Sequence, residues 1–361
     1  MRRLSIKAMV DQFFRSPPPS PLKTVTRINP DGMTDTVIQL QAKQFSRQWL
    51  PGQWVHAPQT PYDNNIPDDL PTSLTLVTWN VDFSRPYFVE RLTDALNHLE
   101  NKLTEDKGGK PPPCLILLQE IHVHAFDTLL AHPWVREWFM VVPGSPEEGW
   151  PQDAWYGTAT LVARSVNLTA STCVHFEESQ MDRNALVTDV LLGGAEPHPR
   201  VLRVINTHLE SLPEGTPMRV VQLKVIAELL REGKAESGGV GGIVGGDMNA
   251  IAPSDATLPE QNGLLDAWEE KKKRDGQGVE GEDKDDDGMT WGYQPPCQFP
   301  PGRLDKVLYT DSDAFDVKYI GKLGIEKKTT LAEGGHEWVS DHYGLLCQVE
   351  ARQATSQEAG P

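Results

Sequence analysis

The chain has 361 residues, 24% of them charged and 38% hydrophobic, and its formal net charge is −17 at pH 7. A chain of this length can bury one large core, and the apolar runs extend from Leu74 to Val349 without a convincing linker, so we expect one domain with tails. No run approaches the roughly 20 apolar residues of a membrane helix, and the negative charge disfavours loose binding to the phosphates of long nucleic acid. We expect a monomer with no membrane partner.

Residues 1–70 are rich in proline, glutamine and aspartate, which predicts a largely flexible N-terminal extension. The first sixteen residues are basic with apolar residues between the charges, a pattern that resembles a mitochondrial presequence and also suits a flexible basic tail. The four cysteines are far apart and form no C-x-x-C pair, which is typical of free thiols in a reducing compartment. We therefore expect the protein in the nucleus or cytoplasm, with mitochondria as the alternative.

Apolar runs predict the first strands and helices. Leu74 to Val77 has the character of a buried strand, and Ser84-Arg85-Pro86 then begins a helix whose apolar residues, from Phe88 to Leu103, recur at helical spacing. Further strands are predicted at 115–119, 158–163, 186–192 and 201–207. A second long helix is predicted at 219–231 and ends at Gly233.

The alternation of strands and helices continues in the last third of the chain. We interpret the glycine-rich residues 238–246 as a loop feeding a strand, because they fit neither G-x-G-x-x-G nor a P-loop. Residues 269–288 are interpreted as an acidic surface insertion in the core domain. Another strand is predicted at 307–309, and the tail at 351–361 is predicted to be disordered.

Four short polar motifs end apolar runs: Thr78-Trp79-Asn80, Gln119-Glu120, Gly246-Asp247-Met248-Asn249 and Ser340-Asp341-His342. Because side chains at the ends of neighbouring strands meet at one edge of a sheet, these carboxylates, amides and the imidazole should converge. Such a set is typical of a metal-dependent phosphodiesterase site.

Hydrolysis of a phosphodiester requires neutralised charge on the phosphoryl oxygens, a nucleophile made from water, and help for the leaving oxygen. Glu120 ends a fully apolar strand, and Mg²⁺ held with the amide of Asn80 explains this carboxylate better than exposure past the strand end. Asp247 follows two glycines that permit close approach, so we assign it as the general base. Asn249 would hold a phosphoryl oxygen.

The Ser340-Asp341-His342 motif places a carboxylate beside an imidazole. Asp341 would serve the metal, and His342, when protonated, would stabilise the charge that grows on the phosphoryl group. Asp305 is the expected orienting partner of His342, because it too precedes an apolar strand. His208 could donate to the phosphate from another direction, and a buried structural histidine is the competing interpretation.

Taken together, these residues resemble the endonuclease/exonuclease/phosphatase superfamily. Its signature passes through T-W-N, Q-E, N-T-H-L, G-D-x-N and S-D-H, and all five occur in this order between about Leu74 and Glu350. The resemblance implies an α/β fold, a four-layered αββα sandwich, as a catalytic domain at 71–350. It also implies Mg²⁺ at the strand ends, with Mn²⁺ as an alternative.

Within the superfamily the chain is similar to the tyrosyl-DNA phosphodiesterase 2 family. The matching segments are Thr78-Trp79-Asn80-Val81-Asp82, Thr207-His208-Leu209-Glu210-Ser211, Arg219 with Gln222-Leu223, and Ser340-Asp341-His342-Tyr343-Gly344-Leu345-Leu346. This resemblance implies release of a topoisomerase-derived tyrosine from a 5′ DNA phosphate, preferably on single-stranded or frayed ends. The expected substrate contacts are Asp82, Arg183, Ser211, Trp291 and Arg303.

Two departures from the family pattern keep other substrates open. Ile251 stands where the family has an arginine after the G-D-x-N motif, and Trp291 is followed by Gly292 where the family has aspartate. Another phosphoester, such as an RNA 3′ end, abasic DNA or a small molecule, is therefore an alternative substrate. A catalytically silent interaction scaffold is an alternative of another class. Four polar residues at strand ends argue against a scaffold: Glu120, Asp247, Asp305 and His342.

Overall fold

A computed structural model describes residues 23–28, 34–42, 46–59, 69–104, 109–177, 179–194, 200–235, 239–275 and 287–352. The strands are β1 Lys23–Ile28, β2 Thr34–Ala42, β3 Arg47–Leu50, β4 Gln53–His56, β5 Ser73–Asn80, β6 Cys114–His122, β7 Phe139–Val142, β8 Tyr156–Ala163, β9 Leu168–Phe176, β10 Asn184–Leu192, β11 Arg200–His208, β12 Gly239–Asp247, β13 Leu264–Asp266, β14 Asp305–Thr310, β15 Phe315–Leu323, β16 Lys328–Thr330, β17 His336–Trp338 and β18 Gly344–Ala351. The helices are α1 Phe88–Leu103, α2 Phe126–Ala131, α3 Pro133–Trp138, α4 Pro146–Gly149, α5 Thr216–Ala235, α6 Leu258–Gln261 and α7 Ala267–Asp275.

Two eight-stranded sheets form the centre of the molecule, and helices lie outside them. The first sheet has the order β1-β2-β9-β10-β11-β12-β14-β13, and the second has the order β15-β18-β5-β6-β8-β7-β3-β4. Buried residues of α5, including Leu223 and Ile226, pack on the outer face of the first sheet. Buried residues of α1, including Leu96 and Leu99, belong to the large core that also contains the facing strands. The predicted four-layered αββα sandwich is confirmed.

Strand direction brings the predicted motifs to one edge of the sandwich. β5 and β6 are parallel, as are β11 and β12, so Asn80 pairs with Gln119 and His208 with Asp247 at their carboxyl ends. β14 and β18 run antiparallel to these strands, so their amino ends lie at the same edge. The register places Asp305 opposite Asp247.

Strand β12 includes the apolar pair Ile243-Val244, which suits a strand, but it begins at Gly239, so the interpretation of the preceding glycines as a loop was wrong. A Cβ atom on Gly246 would lie 1.9 Å from the backbone oxygen of Thr207, and one on Gly245 would lie 2.9 Å from a methyl carbon of Leu117. Glycine is therefore needed where β12 approaches the neighbouring strand and the opposite sheet. The strand carries few side chains because neighbouring atoms occupy their space.

Four strands precede Leu74, where the apolar pattern predicts none. β2 pairs with β9, and β3 pairs with β7, so these segments extend the two sheets at their outer ends. Residues 276–286 of the acidic insertion, the first 22 residues and the tail at 353–361 lie outside the described residues. Within the described part of the chain, no helix is both long and apolar enough to cross a membrane.

Candidate active site

Three polar side chains meet where β5, β6 and β12 end. The amide nitrogen of Asn80 donates to Oε1 of Glu120 at 3.1 Å and to Oδ2 of Asp247 at 3.0 Å. Oδ1 of Asn80 accepts the backbone N–H of Asp82 at 2.9 Å. Two carboxylates from different sheets therefore lie side by side, bridged by one amide.

An irregularity in the pairing of β6 with β8 sets the position of Glu120. The register shifts between Leu118 and Ile121, and Glu120 has a φ of 59°. Its Oε2 accepts the backbone N–H of Phe83 at 3.1 Å. Burial raises the pKa of Glu120 to about 7, although the charge of His342 and the bond from Asn80 act in the opposite direction.

Asp247 is the buried centre of the group, with 2% of its surface exposed. Its Oδ1 accepts the backbone N–H of Asn249 at 2.8 Å. Its Oδ2 lies 3.5 Å from Nε2 of His208 and 3.8 Å from Nε2 of His342. Burial raises the pKa of Asp247, partly offset by His342, so this carboxylate is a better proton acceptor near neutral pH than an exposed aspartate.

His342 is held by the carboxylate that the sequence predicts as its partner. Its Nδ1 donates to Oδ2 of Asp305 at 2.7 Å, and both side chains are buried. Burial acts to lower the pKa of His342, but the carboxylates of Asp305, Asp341 and Asp247 outweigh it and raise the pKa well above its usual value. These carboxylates favour the charged form of His342, and its Nε2 lies 3.8 Å from Asp247.

Asp341 lies near Nε2 of His342 and also contacts the predicted substrate residue Trp291. Its Oδ1 is 3.9 Å from Nε2 of His342, and its Oδ2 accepts the indole N–H of Trp291 at 3.0 Å. Asp341 also helps to raise the pKa of Glu120. Asp341 therefore acts electrostatically on the same pocket as Glu120 while its hydrogen bond orients an aromatic ring.

His208 is buried at the end of β11. Its ring nitrogens lie within 3.8 Å of three predicted site residues: Arg183, Asp247 and Glu120. Nη1 of Arg183 lies 2.8 Å from Nδ1 of His208, and Nη2 of Arg183 donates to Oγ of Ser211 at 3.3 Å. Burial, followed by the charges of Arg183 and His342, lowers the pKa of His208 well below its usual value. The Nε2 atom is buried without a hydrogen-bond partner among the described residues. The neutral ring therefore presents an unused polar atom to the site.

Three predicted residues make other contacts. Arg303 is not brought to this group, because its guanidinium binds both oxygens of Asp266 at 2.8 Å and also Glu269. The carboxylate of Asp82 accepts both the backbone N–H and the hydroxyl of Ser84. The remaining predicted residue is Asn249, whose amide nitrogen donates to the backbone oxygen of Leu209 at 3.0 Å.

Two aromatic residues at the site carry no motif and were missed. The rings of Phe83 and Tyr156 stack with centroids 3.8 Å apart, beside Glu120 and His208. For Tyr156 the only sequence signal is an aromatic residue at the start of an apolar strand. The position of Tyr156 near the site depends on the antiparallel pairing of β8 with β6, which places Tyr156 opposite His122.

The donor atoms fit a hard divalent cation. Glu120 and Asp247 each offer a carboxylate oxygen within 4.8 Å of the other. The Asn80 amide nitrogen donates to both, and the Asn80 oxygen accepts the backbone N–H of Asp82, so the carboxylates are the ligands that face this space. Two partly desolvated carboxylates at this separation repel each other, and burial already raises the pKa of both. A cation held by oxygen ligands would relieve that repulsion, and oxygen is the ligand that Mg²⁺ prefers.

The chain belongs to the endonuclease/exonuclease/phosphatase family, whose model matches residues 77–342 and thus spans every motif described above. Among curated proteins it is similar to the 5′-tyrosyl-DNA phosphodiesterase of Caenorhabditis elegans, with 32% identity over 32% of this chain and 30% of that protein. It is also similar to tyrosyl-DNA phosphodiesterase 2 of Danio rerio, with 24% identity over 76% of this chain and 66% of that protein. The chain thus spans less than a third of the first relative and about two thirds of the second.

Solved structures support the fold. The crystal structure of TDP2 from C. elegans matches with a TM-score of 0.57 and 21% identity, covering 79% of this chain and 77% of that chain. A D. rerio TDP2 complexed with a single-strand DNA product matches with a TM-score of 0.57 and 22% identity, covering 77% of this chain and 99% of that chain. At these identities the likeness concerns the fold.

Proposed function

We propose that the protein is a Mg²⁺-dependent phosphodiesterase that hydrolyses 5′-phosphotyrosyl linkages at DNA ends. The catalytic unit is residues 71–350, and single-stranded or frayed ends are the preferred partners. One observation carries the proposal: Oδ2 of Asp247 lies 3.5 Å from Nε2 of His208 and 3.8 Å from Nε2 of His342, and Nδ1 of His342 is paired with Asp305. The similarity to relatives named tyrosyl-DNA phosphodiesterases supports the substrate class.

The residues around Asp247 divide the chemistry. Asp247 accepts a proton from the attacking water, because its buried carboxylate has a raised pKa and is held by the backbone N–H of Asn249. His342, charged and oriented by Asp305, donates from Nε2 to a phosphoryl oxygen that gains negative charge. His208 donates from its Nε2 to a second phosphoryl oxygen. Both imidazoles are fixed before the substrate binds.

Glu120 would hold the cation, with Asp341 acting on it from the His342 side. Asn80 would join through its Oδ1, which requires the amide to turn away from the backbone N–H of Asp82. When bound, the cation supplies charge neutralisation at the phosphoryl oxygens and at the leaving oxygen. Glu120 binds as a carboxylate, so it must lose any proton that its raised pKa retains near pH 7. Trp291, oriented by Asp341, would contact the DNA end.

Cleavage of a 5′-phosphotyrosyl oligonucleotide in the presence of Mg²⁺ tests the proposal. The wild-type protein should release tyrosine and leave a 5′-phosphate, and Asp247→Asn should lower kcat by about 10² to 10⁴-fold because the general base is lost. The matched control is Asp313→Asn, which changes a fully exposed aspartate beyond the opposite end of β14 and should leave kcat unchanged. Equal turnover by Asp247→Asn and wild type would refute the assignment.

A substrate panel separates the proposed substrate from the alternatives. Ile251 is 45% exposed, so an apolar surface stands where the family has a cationic side chain. The panel therefore includes an RNA 3′ end, abasic DNA and a small phosphoester. Preferred cleavage of one of these would retain the metal site and replace the substrate, whereas no turnover of any substrate would favour the scaffold.

A further inference from the structure

Glu210 is a buried carboxylate that the proposed reaction does not use. It lies two residues after His208 with 1% of its surface exposed. Its oxygens accept the hydroxyl of Ser179 at 2.7 Å, the side-chain amide of Gln222 at 3.0 Å and the backbone N–H of Gln180 at 2.9 Å. All three donors are neutral. Burial of a carboxylate whose donors include no cation costs free energy. This cost suggests a role for the segment that Glu210 binds, which begins at Ser179.

The bonds to Glu210 fix the turn at residues 179–183. Oγ of Ser179 donates to Glu210 and accepts the backbone N–H of Arg183 at 2.8 Å and that of Met181 at 3.3 Å. Asp182, within the turn, has a φ of 56°. One carboxylate and one hydroxyl therefore determine where Arg183 lies directly before β10.

Arg183 in turn determines which nitrogen of His208 carries the proton. Its guanidinium lies 2.8 Å from Nδ1 of His208, and its central carbon is 5.5 Å from the ring centroid of Tyr156. A guanidinium only donates hydrogen bonds, so Nδ1 must accept and the proton of the neutral ring must be on Nε2. Nε2 lies 3.5 Å from Asp247 and 3.8 Å from Glu120. In this tautomer Nε2 is a donor and cannot bind a metal ion.

We propose that Glu210 is a positioning residue that acts through the 179–183 turn to hold Arg183 against Nδ1 of His208. The result is a single His208 tautomer whose Nε2–H is directed into the site. The use of this N–H on a phosphoryl oxygen rests on the function proposed above, but the tautomer itself does not. Glu210 thus affects turnover without contacting substrate.

The test combines NMR of histidine-labelled full-length protein with kinetics on the 5′-phosphotyrosyl oligonucleotide. The imidazole signals of His208, assigned by their loss in His208→Asn, should show the Nε2–H tautomer in wild type. Glu210→Gln should give a mixture of tautomers and lower kcat by about 10 to 100-fold, as expected for a residue that orients a functional group, with KM changed less than about twofold. The matched control is Glu214→Gln, an exposed carboxylate four residues away, which should resemble wild type.

Two further variants keep the proposal testable if Glu210→Gln unfolds. Ser179→Ala removes the hydroxyl that links Glu210 to Arg183 and should produce the same mixture of tautomers. Arg183→Gln combined with Glu210→Gln should lower kcat no further than Arg183→Gln alone, because both act along one path.

The possible outcomes separate the two proposals. An Nδ1–H tautomer in wild type, an unchanged tautomer in both Glu210→Gln and Ser179→Ala, or additive losses of kcat would overturn the positioning role. A tautomer change in a protein that does not cleave phosphotyrosyl DNA would uphold the positioning role and reject the proposed substrate.

Discussion

Three residues of the candidate site have positive φ values: 53° for Asp82, 59° for Glu120 and 46° for Asn249. Aspartate and asparagine adopt this conformation with little strain, but glutamate does so at a cost of about 1 to 3 kcal/mol. The two hydrogen bonds to Glu120, from Asn80 and from the backbone of Phe83, offset part of this cost. The strained backbone at Glu120 reduces stability but places the Glu120 carboxylate beside Asn80, so this conformation serves the site rather than the fold.

A second buried carboxylate, Asp266, permits a prediction of stability as a function of pH. Burial acts to raise the pKa of Asp266, but Lys306 and Arg303 outweigh it, so the pKa is below its usual value. Asp266 therefore stabilises the folded protein above its unfolded pKa of about 4, and this contribution is lost as the pH falls through the lower folded pKa. Asp266→Asn should lower the free energy of unfolding by about 3 kcal/mol at pH 7, because it leaves the buried Lys306 without its carboxylate partner, whereas Arg303 keeps Glu269.

Urea unfolding at pH 7 and at successively lower pH measures this effect. The difference between wild type and Asp266→Asn should shrink as the pH falls below about 4, because the wild-type side chain then becomes neutral as well. Asp153→Asn is the control, since this aspartate is exposed and its positive φ suits asparagine. A difference that stays constant over the whole pH range would contradict the ionic origin of the effect.

Asn206 is the residue through which one strand, β11, is hydrogen-bonded to the opposite sheet. Its amide nitrogen donates to the backbone oxygens of Leu118 at 3.1 Å and Ala159 at 3.0 Å, and its oxygen accepts from Gln119 at 2.8 Å. Asn206→Ala would leave these buried groups unpaired, so the free energy of unfolding should fall by about 2 to 4 kcal/mol. Urea midpoints at unchanged m-value measure the loss.

The matched control for this change is Asn101→Ala, at an exposed position of helix α1. It should alter stability by less than about 0.5 kcal/mol. If Asn206→Ala were equally mild, the contact between the sheets would have to rest on apolar packing alone.

The elements that the sequence predicts well are those with a clear pattern of apolar side chains. Helix α5 and strands β5, β6, β10 and β11 follow from the apolar pattern, whereas the first half of β12 does not, because glycines replace its side chains. The sandwich followed from family resemblance, and strand order was not predicted, since periodicity does not specify which strands pair. The position of Tyr156 and the bulge at Glu120 depend on that pairing, so local sequence could not predict them.

At the scale of the whole molecule, a bound cation should stabilise the fold. A ligand that binds only the folded state adds about 2.7 kcal/mol when its free concentration is 100 times its Kd. Thermal unfolding of chelator-treated protein should therefore shift to higher temperature as Mg²⁺ is added, and Glu120→Gln should lose most of this shift. Glu214→Gln should keep it, because Glu214 is exposed outside the group. An equal shift in Glu120→Gln would place the bound ion elsewhere.

The net charge of −17 predicts an unusual response to salt. A protein that binds many phosphates loses affinity steeply as salt increases, whereas an acidic protein that grips only the DNA end is repelled by the rest of a long strand. The Debye length falls to about 10 Å at 0.1 M salt, so added salt should screen this repulsion. The ratio of kcat/KM for a long phosphotyrosyl strand to that for a short one should therefore rise, by roughly threefold or more, between low and moderate salt at fixed Mg²⁺. A steep fall in this ratio would instead indicate many phosphate contacts along the strand. The protein would then have a basic DNA-binding surface despite its negative net charge.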